Sequence, residues 1–173
     1  QVTGGFFVQN RIQLNEKLLL GLGLRFDYRN VDRGSEFSYK SFSDVSPKIN
    51  LTFKRDNFST WNFALSKGFR SPSLSELFLQ YESDYGLNTQ GNPNLEPEQL
   101  YGLDISFDRS NKSNLTYSVS TFYYKYEDMI DFVYGLPVLA LNRSDISSCG
   151  LESNVSYQLC LLYTSDAADE DLR

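Results

Sequence analysis

The amino-acid sequence predicts an all-β fold: an antiparallel up-and-down transmembrane β-barrel, present in part as an open curved sheet of about seven strands. Three observations predict it. Apolar residues recur at every second position in one segment after another, the face between them is polar or charged, and short polar connections alternate with longer ones. Aromatic residues make up 15% of the 173 residues, with 12 Tyr and 13 Phe, and aromatic and β-branched side chains suit a pleated surface. No run approaches the roughly 18 consecutive apolar residues of a membrane-spanning helix. Barrel strands instead hide their apolar residues at alternate positions.

A first strand is expected near residues 6–14. The clearest follows at 18–29, where Leu18, Leu20, Leu22, Leu24, Phe26 and Tyr28 share one face and Leu19, Gly21, Gly23, Arg25, Asp27 and Arg29 the other. The same alternation sets Val45, Pro47, Ile49, Leu51 and Phe53 against Ser46, Lys48, Asn50, Thr52 and Lys54. It recurs around Trp61, Phe63 and Leu65, around Tyr101, Leu103, Ile105 and Phe107, around Leu115, Tyr117 and Val119, and around Leu151, Val155 and Tyr157. Short turns are expected at residues 15–17, 55–58 and 109–113, longer connections at 30–38 and 71–97, and a brief one at 134–137. Transmembrane barrels have short periplasmic turns and longer external loops. On that rule 71–97 lies outside the cell.

The alternate face is too polar for a protein core. Arg25, Asp27, Lys48, Asn50, Asn62, Asp104 and Glu152 fall on it, and burying unpaired charge is expensive. In a large barrel these residues line a wet lumen, and the opposite apolar face meets outer-membrane lipid. A soluble sandwich is the competing reading of the same periodicity.

Composition excludes other classes. Net charge is −6, which argues against nucleic acid as a partner. There is no His, so the commonest general base and metal ligand is missing. No catalytic, cofactor or metal residues are assigned, and an outer-membrane hydrolase is disfavoured on the same ground. Cys149 and Cys160 have no metal-site spacing. Gly21 and Gly23 lack the third glycine and following helix of a phosphate-binding loop. Six Asn-x-Ser/Thr triplets, from Asn50 to Asn154, follow from alternating polar residues, and Glu82 and Asp84 read as solvated loop acids.

The segment 67–98, KGFRSPSLSELFLQYESDYGLNTQGNPNLEPE, is the specific signal. Pro72 fixes its own φ and keeps Ser71 extended, which closes a strand. Residues 73–78 suit a short helical turn capped by a Ser and anchored by Leu74, Leu77 and Phe78. Asn92-Pro93 and Glu96-Pro97 stiffen the return. Two halves, 68–78 and 91–98, resemble paired elements in the barrels of TonB-dependent receptors, which take up iron chelates, haem, cobalamin and some saccharides. Phe69, Arg70, Pro72, Glu76, Leu77, Asn92, Pro93, Asn94, Leu95, Pro97 and Glu98 carry the likeness. Residues 44–53, and Asn142 through Cys149-Gly150-Leu151-Glu152, are similar to neighbouring strands of that family, and the resemblance covers residues 3–159.

The resemblance implies energy-coupled uptake of a scarce nutrient, with an iron–siderophore complex or cobalamin as cargo at the external loops. It implies as partners a plug domain and an inner-membrane energy-coupling protein, although no coupling box is visible here. Haem is disfavoured, because similar haem receptors carry a His between the two halves and residues 71–91 contain none. A passive porin-like barrel is the alternative function. Family barrels have 22 strands, so seven strands, without a signal peptide, read as an internal piece of a longer chain. Residues 1–159 are assigned to the barrel. Residues 160–170, CLLYTSDAADE, resemble a translated sequencing-library adaptor, so 160–173 are expected to be a non-native tail.

Overall fold

Alternating apolar and polar residues with few interruptions leave the chain one economical solution, long strands that pair with their sequence neighbours. The computed structural model describes residues 2–32, 39–84, 86, 88–110 and 114–158; the expected tail lies outside them. Seven long strands form the sheet: β1 (Val2–Asn15), β2 (Leu18–Asp32), β3 (Tyr39–Asp56), β4 (Ser59–Arg70), β7 (Glu98–Ser110), β8 (Leu115–Val133) and β9 (Val138–Tyr157). Between β4 and β7 lie α1 (Leu74–Phe78) and two three-residue strands, β5 (Gln80–Glu82) and β6 (Asn88–Gln90). These two bring the sheet to nine strands, in the order β1-β2-β3-β4-β7-β8-β9-β6-β5. The seven expected strands are the seven long ones; the difference is the small hairpin inside the loop.

Every sequential long pair is antiparallel, from β1–β2 through β8–β9. Two strands run further than their alternation shows. β8 reaches Val133 and β9 begins at Val138: beyond the irregular pairing between Tyr126 and Ile130, where Asp128 has φ 55°, the register resumes unchanged, and the apolar Ile130 and Phe132 lie on the face that the loop covers. In β3 the register with β4 runs from Asp56–Ser59 up to Lys48–Ser66 and stops one residue short of Pro47, which has no N–H to donate. Above that point side chains bridge the strands: Asp44 accepts from Lys67 at 2.7 Å and from Gln99 at 2.8 Å.

The two faces differ as the alternation requires. Leu22, Leu24, Phe26, Ile49, Leu65 and Leu103 are all exposed, and the register aligns Leu22 with Ile49 and Leu65 with Leu103 on the same face. Near the turn ends of the strands Trp61, Phe107 and Tyr117 form an aromatic row, with ring centroids 4.7 and 6.1 Å apart. No second layer covers this face among the described residues. Buried apolar side chains gather instead at the other end of the sheet, where Val31, Phe42, Leu77, Leu95 and Ala140 form one cluster.

Candidate functional site

The site is the loop between β4 and β7, together with the polar face beneath it. Pro72 ends β4, and Ser73 starts α1 as its N-cap. The Ser73 hydroxyl accepts from Glu76 N at 3.2 Å, and Ser73 N donates to Glu76 Oε2 at 2.6 Å, a reciprocal capping box. Leu77 is fully buried and Phe78 packs against the cluster, but Leu74 is exposed. That corrects Leu74 as an anchor: a one-turn helix presents a single face to its support, and Leu77 occupies it.

Arg70 organises the loop. Its guanidinium makes two bonds of 2.6 Å to Glu98, its cross-strand partner, and bonds of 3.0 and 3.1 Å to Glu76. Glu98 also accepts from Ile130 N at 2.8 Å, which ties β8 at its bulge to the same carboxylate. Burial raises the Glu76 carboxyl, but Arg70 and the Ser73 N–H and hydroxyl outweigh it and hold it below its ordinary range. For Glu98 the Arg70 bonds dominate, burial opposes and the Ile130 N–H assists, and the net shift is again downward.

The second half of the motif docks on the first. Asn92 N donates to Glu76 O at 2.8 Å, and Asn92 Oδ1 accepts from Asn94 N at 2.9 Å. Leu95 is fully buried in the cluster. Lys40, from β3, donates to the carbonyls of Pro93 and Leu95 at 2.8 and 2.5 Å. Asn142, from β9, pairs with both backbone groups of Glu96 at 2.8 and 2.9 Å. Arg29, from β2, donates to Ser71 Oγ at 2.9 Å and to Pro72 O at 3.2 Å. Phe69 and Pro97 are half-buried beside these contacts. Lys40, Asn142 and Arg29 were missed in the sequence because their partners lie more than 40 residues away, beyond the reach of any local pattern.

The support comes from one face of the sheet. Val31, Phe42 and Ala140 share the strand parity of Asp27, Lys48 and Glu152, so the loop folds over the polar side from β2 to β9. Arg25 pairs with Asp27 at 2.6 Å. Lys48 and Asn50 stand opposite Gly23 and Gly21. Thr52 donates to Asn62 at 2.9 Å, and Asn62 donates to Ser106 at 3.2 Å, a side-chain chain over three strands. Tyr124 donates to Asp104 at 2.7 Å, and Glu152 lines the same cleft. All seven residues expected on the polar face therefore share it. Where the loop leaves β4, a cleft of about 580 Å³ is lined by Arg25, Asp27, Arg29, Arg70 and Ser71 among others.

A sheet exposing one apolar face and carrying its buried cluster on the other, under an inward-folded loop, defines a segment of an outer-membrane barrel. The chain belongs to the TonB-dependent receptor β-barrel family: the family profile "TonB dependent receptor-like, beta-barrel" matches residues 1–170. It is 30% identical over 125 residues to the iron-regulated outer membrane virulence protein of Vibrio cholerae, covering 72% of this chain and 18% of that protein. It is 27% identical over 153 residues to the TonB-dependent heme receptor A of Haemophilus ducreyi, covering 75% of this chain and 20% of that one. The chain thus spans about a fifth of the length of these relatives. The FrpB iron transporter of Neisseria meningitidis shares the fold, with a TM-score of 0.71 at 17% identity over 91% of this chain and 23% of its own. The family consists of outer-membrane receptors, not enzymes.

Proposed function

We propose that the whole protein takes up a scarce nutrient across the outer membrane by energy coupling, with an iron–siderophore complex or cobalamin as cargo. In this reading the polar face is the channel wall, and Arg25, Asp27, Lys48, Asn50, Asn62, Asp104 and Glu152 face a plug domain and the passing cargo. The motif residues from Phe69 to Glu98 hold the external loop in place, and cargo meets the loops they order. An inner-membrane energy-coupling protein acts on the plug.

One observation carries this reading. The loop 71–97 is folded over the polar face and fixed there by the Arg70 cluster and by buried Leu77 and Leu95. A passive pore works through an open mouth, whereas a receptor needs ordered loops above its channel. Relatives named as iron-regulated, heme and transferrin-binding proteins favour iron.

The test is growth of a strain lacking the full-length gene, with single ferric chelates or cobalamin supplied as the limiting nutrient. Growth on at least one of them is expected to require both the gene and the energy-coupling protein. Uptake that persists when the coupling protein is deleted would establish a porin-like pore and overturn the proposal.

A further inference from the structure

We propose that β6 closes the free edge of β9 above Ala140 in the whole receptor, so that the next barrel strand joins β9 only below that level. The loop between β4 and β7 is thereby stapled, past β7 and β8, to the outer edge of the next external hairpin, that of β8 and β9.

Strand direction is the first argument. In an up-and-down barrel consecutive strands are joined by hairpins, so both neighbours of any strand run antiparallel to it. β8 does so along β9. On the opposite edge β6 pairs with β9 in parallel, Thr89 with Val138 and Gln90 with Leu139. β6 therefore does not stand in for the next strand of the meander. It is a segment of the preceding external loop, reaching past β7 and β8.

Length and burial are the second. β9 has 20 residues, whereas about 9–11 tilted residues cross the bilayer. Its first residues project beyond the membrane, where an open edge offers unpaired N–H and C=O groups to any passing chain. That edge is already packed: Val138 is 7% and Ala140 0% exposed, and Ala140 lies in the cluster with Leu77 and Leu95. A barrel strand paired there would have to displace the hairpin that covers it.

The position of β6 is set from both sides. Gly91 N donates to Leu79 O at 2.7 Å, which closes the hairpin on the end of α1. A Cβ on Gly91 would stand 2.6 Å from Phe78 N and 2.7 Å from both Leu77 C and Leu79 N, all backbone atoms that cannot swing aside. From the β9 side, Asn142 grips Glu96. Neither constraint draws on the part of β9 that the next strand needs.

The test is thiol cross-linking in the full-length receptor in native outer membranes, after Cys149→Ser. With Thr89→Cys and Val138→Cys, a short bifunctional thiol reagent is expected to link the pair in most molecules. The control pair, Thr89→Cys with Ser147→Cys, is nine residues further down β9, about 30 Å away, and is expected to link at least tenfold less. Adding Gly91→Val is expected to abolish the first link while the barrel keeps its heat-modifiable mobility on gels. Equal linking of the two pairs, or a first link that survives Gly91→Val in a folded barrel, overturns the proposal.

Discussion

Arg70 holds two carboxylates that belong to different pieces of chain, Glu76 in α1 and Glu98 at the start of β7. Its own side chain is 46% exposed while those of the acids are 14% and 13% exposed, so solvent screens the cluster from one side only. Charge-assisted bonds of this kind contribute roughly 1 kcal/mol after that screening. Both acids have folded-state pKa values lowered below the usual 4.5. Their contribution is therefore complete above about pH 4.5 and is lost as pH falls through the lower, folded values. Hydrogen exchange of the 71–97 amides in the full-length receptor, corrected for intrinsic rates, should accelerate on acidification below that point. In Arg70→Ala the loop should open about fivefold more readily at pH 7, and its acid dependence should be flatter. A wild-type profile that stays level down to pH 3 would show that the ion cluster does not hold the loop.

The elements were legible in the sequence where one physical rule acted alone. Period two located β2, β3, β4 and β7, because each carries a stretch that is apolar on one face and mainly polar on the other. Face assignment has a direct test. Leu22→Arg places a charge on the lipid face, at a cost of about 2–4 kcal/mol near the midplane, whereas Asn50→Arg stays on the polar face and should change little. Lipid refolding titrations of the full-length receptor read both; equal losses would mean that the polar face is a packed core. Legibility failed where two rules competed. The upper half of β8 reads as irregular because its apolar residues Ile130 and Phe132 lie on the face that the loop covers, and the top of β9 is apolar on both faces from Val138 to Leu141, then polar on both from Asn142 to Asp145. β5 and β6 are too short to show a period at all. Within the loop the Ser cap of α1 was readable, as was anchoring by Leu77, though not the exposure of Leu74. The clamps from Arg29, Lys40 and Asn142 were not, because they arise from strand pairing.

At the scale of the whole molecule, the sheet is a wall with two open sides. β1 stands at one edge of the sheet, and β9 carries only β6 beyond β8. Open edges do not persist in hydrocarbon, where each unsatisfied backbone group costs several kcal/mol, so further strands complete the barrel in the longer family members. The buried cluster of the described residues lies at the loop end, and the aromatic row of Trp61, Phe107 and Tyr117 lies at the turn end. This polarity gives the sheet an outside and an inside with respect to the cell. We propose that these strands cross the outer membrane with the 71–97 loop on the external side. Asp84 in that loop and Asn57 in the turn between β3 and β4 are both exposed. The decisive measurement is labelling of intact cells with a membrane-impermeant thiol reagent, using full-length receptor carrying Cys149→Ser and either Asp84→Cys or Asn57→Cys. The first is expected to be labelled and the second to react only after the outer membrane is permeabilised; labelling of Asn57→Cys on intact cells with Asp84→Cys protected would contradict this orientation.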